Sequence, residues 1–242
     1  HTMVFIASDR DADTDRVIQQ MLDHQVDGII AASVGLGDAL ADRCRAAGIP
    51  VVLFNRGQPD AGFAQVTSAN RAGGQRVAAH LVACGYDWIG HVAGWEGSST
   101  GRDRSAGFLE GLAQAGLAPV DVIAGDYDRT KAAAAAEALV QKGAQALFVG
   151  NDHMAFAVLD HLRFAMGLSV PGDVAVVGYD DVPMAAWAGY DLTTLRQPVG
   201  RMVDAAVAAL IGALDAPDSP ITQLEIKGPL IQRGSTPKER AQ

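Results

Sequence analysis

The chain has 242 residues, enough for one large or two medium domains with apolar cores of their own. With 49% hydrophobic and 19% charged residues it is composed as a globular protein, not as a disordered or fibrous one. A formal charge of −9 leaves no basic footprint to displace counterions from a phosphate backbone, so this chain by itself is not expected to bind nucleic acid.

From the N-terminus, short β-branched runs alternate with longer Ala- and Leu-rich amphipathic ones. Val4–Ala7 reads as a strand. Asp13–His24 reads as a helix with Val17, Ile18, Met21 and Leu22 on one face. Asp27–Ala31 is the next strand, Asp38–Ala47 a helix ended by Gly48, Pro50–Phe54 a strand and Phe63–Thr67 a further short one. Ala69–Cys84 reads as a helix closed by Gly85. The pattern then repeats. Strand Trp88–Ala93 leads to helix Asp103–Ala115, stopped by Gly116. Strand Val120–Ala124 leads to helix Thr130–Lys142, stopped by Gly143. Strand Ala146–Val149 leads to helix His153–Met166, stopped by Gly167. Strand Val174–Val177 follows the Pro171-Gly172 turn. Leu192–Leu195, Ile221–Ile226 and Leu230-Ile231 read as extended, and Val199–Leu214 as helical. Almost continuously apolar strands alternating with helices imply α/β architecture, with parallel sheets covered on both faces. Two successive blocks imply two similar lobes.

The remaining composition is quiet. Cys44 and Cys84 sit in helical, small apolar surroundings without C-x-x-C or Cys/His ligand spacing, and read as buried thiols of a reducing compartment. No apolar run is long enough to span a membrane, and His1–Ile6 lacks the basic-then-apolar layout of a secretory signal, so a cytoplasmic location without membrane contact is expected.

In open α/β sheets ligands bind beyond the carboxyl ends of the strands. The residues found there are Asn55 and Arg56, then Trp95, Ser98 to Thr100 and Arg102 to Arg104. Next come Asp126 and Tyr127, Asn151 and Asp152, Tyr179 to Asp181, and Arg196 and Gln197. Planar multi-point donors and acceptors with an aromatic wall suit vicinal hydroxyls better than they suit catalysis. Plainer roles stay open for each: Asn151 or Asp152 can cap the helix that follows, Asp181 can cap its own segment, and the arginines can form surface ion pairs. Gly97-Ser98-Ser99-Thr100-Gly101 formally matches GxSxG, but Ser99 lies beyond the strand and no Asp-then-His order follows. No HExxH, Walker or dinucleotide fingerprint occurs, and the histidines form no ligand cluster, so neither enzyme activity, nor a metal, nor a cofactor is expected.

Several ordered stretches resemble the LacI/GalR family of transcriptional regulators. They are Val26 to Ile30, Gly48 to Arg56, Asn70-Arg71-Ala72-Gly73-Gly74 with His80-Leu81 and Gly85, and Arg104 to Phe108. Asn151 to Ala155, Val170 to Asp181, Leu192 to Pro198 and Arg233 to Thr236 complete the set. The resemblance implies a type I periplasmic-binding-protein-like fold with three crossovers near Ala93, Leu195 and Pro220. The lobes would be residues 1–92 with 197–220, and 93–196 with 221–236, followed by a tail at 237–242. It also implies a homodimer and a small polar effector, a sugar, bound between the lobes, with closure relayed to operator DNA through a headpiece outside this chain. The implied effector contacts are Asn55, Thr100, Arg104, Tyr127, Asn151, Asp180 and Gln197. His1 to Ala7 aligns with the family's second strand, so its first strand and first helix are expected to lie outside this sequence. Asn55 stands where many relatives have Asp, which removes one bidentate acceptor. The alternative reading is a periplasmic sugar-binding protein of a transport system.

Overall fold

The computed structural model describes residues 26–33, 38–58 and 62–238; the strand read at Val4–Ala7 and the helix read at Asp13–His24 lie outside the described residues. In chain order the elements are β1 (Ile29–Ala32), α1 (Asp38–Ala46), β2 (Val51–Phe54), β3 (Ala64–Ser68), α2 (Asn70–Ala83), β4 (Ile89–Ala93), α3 (Ser99–Gln114), β5 (Val122–Ala124) and α4 (Arg129–Gln141). There follow β6 (Ala146–Val149), α5 (Asp152–Asp160), β7 (Ala175–Asp180), β8 (Thr193–Arg196), α6 (Val199–Asp215), β9 (Gln223–Ile226) and β10 (Leu230–Ile231). None of the described helices is long and apolar enough to cross a membrane.

The chain divides into two units, residues 1–68 with 199–226, and residues 69–198 with 227–242. The first holds a parallel sheet of order β1-β2-β3-β9. Alternation along β2 serves its two faces. Val51 and Leu53 join Ala41 and Cys44 of α1, while Val52 joins Met202 and Ala206 of α6.

The second unit holds a six-stranded sheet of order β10-β8-β7-β6-β4-β5, parallel except for β10 against β8. Its strands are buried on both faces, yet period two survives. Ala146 and Phe148 of β6, with Ala175, Val177 and Tyr179 of β7, face α2 and α3. Leu147, Val149 and Val176 face α4 and α5. Helices α2 and α3 cross with their backbones touching. A Cβ on Gly107 would overlap the Arg71 carbonyl, one on Gly74 would overlap the Arg104 carbonyl, and one on Gly111 would lie 2.7 Å from the Ala78 Cβ.

The unit boundaries differ from the sequence reading, which broke the chain after residues 92, 196 and 220 instead of 68, 198 and 226. The reasons are pairing and packing. β4 hydrogen-bonds to β5 and β6, and α2 is pressed onto α3, so both belong to the second sheet. β9 pairs with β3, which keeps residues 223–226 in the first unit. Three element ends also differ. α3 starts at Ser99, a turn before the expected Asp103, and tolerates Gly101 because a Cβ there would lie 2.7 Å from the Trp95 carbonyl oxygen. The α-helix expected to reach Met166 stops at Asp160 and continues as a π-helical stretch, His161–Ala165. β7 runs on to Asp180, beyond the expected Val177.

The glycine crossing generates a pair of opposed outcomes. Gly107→Ala must push α2 from α3 and should destabilise the protein by about 1–3 kcal/mol. Gly212→Ala, on α6 with nothing near its missing Cβ, should stabilise it by about 0.5–1 kcal/mol through helix propensity. Urea-unfolding midpoints check both.

Candidate functional site

Strand ends in this protein are where backbone strain collects. Among the described residues seven non-glycines have positive φ, and six of them follow or end a strand: Ser33, Asn55, Asp126, Tyr127, Asp180 and Asp181. Such conformations cost about 1–3 kcal/mol each and persist only where surroundings over-determine them.

In the second unit the strand ends surround Arg104, which α3 projects inward one turn after Thr100. Arg104 is 3% exposed. Burying a guanidinium is expensive, on the order of several kcal/mol, unless each face of it is matched. Here Nη2 lies 3.1 Å from Asp180 Oδ1, Nε donates to Asn70 Oδ1 at 3.0 Å and Nη1 donates to the Gly150 carbonyl at 2.8 Å. The plane lies 3.8 Å above the centre of the Tyr179 ring. Burial opposes its charge, but Asp180, Tyr179 and Tyr127 outweigh burial and raise its pKa.

Asp180 is the hub. Oδ1 accepts from Arg104 and also from Gln197 Nε2 at 2.6 Å, and its carbonyl accepts from Gln197 N. Oδ2 has no hydrogen-bond partner among the described residues, and the side chain is 23% exposed. Tyr127 lies flat on backbone that only glycine permits: a Cβ on Gly94 would sit 2.5 Å from its Cζ. Its hydroxyl is 3.4 Å from Thr100 Oγ1, which is 2.6 Å from Ser98 Oγ. Asn151 does cap its helix, Oδ1 accepting from Met154 N at 2.9 Å. That leaves its Nδ2 without a partner among the described residues.

The structure therefore brings six of the sequence-predicted residues, Thr100, Arg104, Tyr127, Asn151, Asp180 and Gln197, to the strand ends of one sheet. Asn55 belongs to the first unit. There, at φ +71, it donates Nδ2 to Ser33 Oγ at 2.9 Å, and its Oδ1 is buried without a hydrogen-bond partner. Sequence reasoning left three supports unassigned: Asn70 and Tyr179 on Arg104, and Arg233, which grips Asp181 at 2.7 Å beside Arg196 at 2.5 Å, an ion pair of the kind open to Arg196 from the sequence. Asn70 carried a usable signal, since it opens a helix directly after a strand. Tyr179 could be read as facing α3 from its period with Ala175 and Val177. Arg233 carried no such cue, being distant in sequence. The Ser99 idea gains nothing, because Asp180, the carboxylate that would orient a base, is engaged by Arg104 and Gln197.

Two further titratable groups of this unit are buried. His91 Nδ1 donates to the Phe148 carbonyl at 3.0 Å, its Nε2 pairs with Ser105 Oγ at 2.8 Å, and the ring is stacked on Phe148. Burial pushes it down to about 4 despite the Phe148 carbonyl. Asp152 is pushed up to about 6 by burial, against its bonds from Thr194 and Val182 and with help from Asp180 and Asp181.

Residues 78–236 match the periplasmic binding protein-like domain. The chain is 32% identical to an HTH-type transcriptional regulator in the aml 5′ region of Streptomyces limosus, over 93% of this chain and 67% of that protein. It superposes on the transcriptional regulator CelR in complex with cellobiose with a TM-score of 0.84 and 30% identity, covering 92% of this chain and 70% of that one. The periplasmic binding protein/LacI transcriptional regulator from Alkaliphilus metalliredigens, complexed with D-xylulofuranose, gives 0.82 and 26%, covering 93% and 84%. The chain spans about two thirds of the length of the curated relatives it matches.

The two shifted groups work in opposite directions. His91 lies below its unfolded value, so its contribution is present above about pH 6.5 and lost as pH falls through about 4. Asp152 lies above its unfolded value, so its contribution is present below about pH 3.8 and lost as pH rises through about 6. Between pH 4 and 6 they oppose one another. Asp152→Asn removes one of them, and its stability should rise with pH across that window more steeply than the wild type's. Urea midpoints at half-unit pH steps decide it; equal slopes refute the assignment.

Proposed function

The chain belongs to the LacI/GalR family of transcriptional regulators, of which it carries the periplasmic-binding-protein-like effector domain, and from that premise we propose that its effector is an uncharged, hydroxyl-rich small molecule, a sugar, held at the strand ends around Asp180. The observation that carries the reading is the state of that carboxylate. One oxygen is fixed by Arg104 and Gln197 while the other stays open, which is the arrangement that accepts a hydroxyl without reorganising. Asn151 Nδ2 adds a donor, and the Tyr127 ring adds an apolar wall for C–H groups.

Charge favours a neutral guest. The cations around these strand ends are already matched, Arg104 by Asp180, and Arg196 and Arg233 by Asp181. An anion bound at Arg104 would have to displace the Asp180 carboxylate. The sugars named with CelR and the Alkaliphilus protein agree with this reading. Participation of Asn55 is part of the proposal and is supported by its orphaned buried acceptor. So are a homodimer and action on operator DNA through a headpiece, with the effector shifting the balance between two states it binds unequally. A solute receptor for transport is less favoured, since the Streptomyces limosus relative and CelR are transcriptional regulators.

Thermal shift tests the reading with cellobiose, D-xylulose, glucose 6-phosphate and adenine. A neutral sugar should raise Tm in a dose-dependent way. Asp180→Asn should lose that rise; it should also lower the ligand-free Tm, because Arg104 forfeits its counter-charge. Tyr127→Ala should weaken binding several-fold and also lower the ligand-free Tm, because the ring packs on Gly94 and against the buried cluster. A rise with the phosphate alone removes the neutral guest, a rise with the purine alone removes the sugar, and a full rise in Asp180→Asn removes Asp180 from the site.

A further inference from the structure

The turn that ends β7 is held in an unusual backbone state. Asp180 has φ +129 and Asp181 φ +59, neither being glycine. Something must hold this turn, and the Asp181 carboxylate accounts for one side of it through Arg196 and Arg233. On the other side the Val182 amide donates to Asp152 Oδ2 at 3.0 Å. Asp152 is wholly buried at the N-terminus of α5. Its Oδ1 accepts from Thr194 Oγ1 of β8 at 2.6 Å, across Gly178, where a Cβ would collide with that same oxygen. One carboxylate thus joins α5, β8 and the turn after β7.

Its own helix does not need it. The cap of α5 is Asn151, which already takes the Met154 amide. A buried carboxylate is also a poor way to fill space: burial pushes Asp152 up to about 6, and an apolar residue there would avoid that penalty. The remaining explanation is its geometry toward the turn.

We propose that Asp152 is a positioning residue for effector binding, fixing the Asp180–Val182 turn so that the open oxygen of Asp180 faces the ligand. This rests on the reading that Asp180 contacts the effector. Asp152 itself touches no ligand. It acts through Val182 N–H on one side and Thr194 on the other, and its neighbours Asp180 and Asp181 are in turn neutralised by Arg104, Arg196 and Arg233.

The test compares Asp152→Ala, Asp152→Asn and Thr194→Val. Asparagine can still accept from Val182 N–H through Oδ1 and donate to Thr194 Oγ1 through Nδ2; alanine can do neither. Amide hydrogen exchange at Val182, followed by NMR without ligand, should accelerate at least tenfold in Asp152→Ala and stay within about threefold of wild type in Asp152→Asn. Thr194→Val, which leaves the carboxylate but removes its donor on β8, should give an intermediate acceleration and carries the test if the alanine variant does not fold. Titration calorimetry with cellobiose should show at least a tenfold loss of affinity in Asp152→Ala and rescue in Asp152→Asn. Unchanged Val182 exchange in Asp152→Ala and Thr194→Val overturns the proposal whatever the ligand. So does faster exchange with undiminished cellobiose affinity, or an asparagine variant as impaired as alanine. Failure of the wild type to bind cellobiose counts against the sugar reading alone, because the exchange measurement needs no ligand.

Discussion

A guanidinium taken out of water must have its charge answered where it stands, and Arg104 shows what that demands. Its partners come from Asn70 at the start of α2, Asp180 at the end of β7, the carbonyl of Gly150 beyond β6, and the ring of Tyr179. Four chain segments therefore have to arrive together before the charge can be buried, and removing any one of them exposes the remainder to a large desolvation penalty. The helix crossing makes this possible. Gly74 and Gly107 let α2 and α3 touch backbone to backbone, which brings Asn70 within reach of Nε. A side chain at either glycine would hold the donor and its acceptor apart.

The rim of the site is built on that base. Asp180 gives one oxygen to Arg104 and Gln197, and that tether also fixes the direction of the other. The same division recurs at Asn151, whose Oδ1 caps α5 while its Nδ2 has no hydrogen-bond partner among the described residues. Engaged and open polar atoms thus sit side by side within one planar group. Strain at Asp180 and Asp181 is tolerated because Gln197, Asp152, Arg196 and Arg233 hold the turn from several directions.

Much of this was open to inspection in the linear order. Helix ends read from Gly48, Gly85, Gly116, Gly143 and Gly167 coincide with positive φ at all five, because a left-handed residue after a helix is a local steric matter. Polar residues gathered at strand ends were visible for the same kind of reason, once alternation had located the strands. The start of α3 was misplaced because Gly101 argues against a helix on local propensity, while the close approach to the Trp95 carbonyl that makes it necessary is not a local fact.

What the residue order determined by itself was everything governed by neighbours a few positions apart: the α/β alternation, the apolar faces, the stops, the family, and the gathering of polar groups just beyond the strands. What only tertiary structure decided was pairing between segments remote in the chain. That β4 joins β6 and β9 joins β3 shifted two of the unit boundaries, and that Arg233 reaches Asp181 while Asp152 reaches Thr194 could not be read from spacing. The physical reason is that a hydrogen bond or ion pair depends on distance in space, and distance along the chain carries that information only within an element.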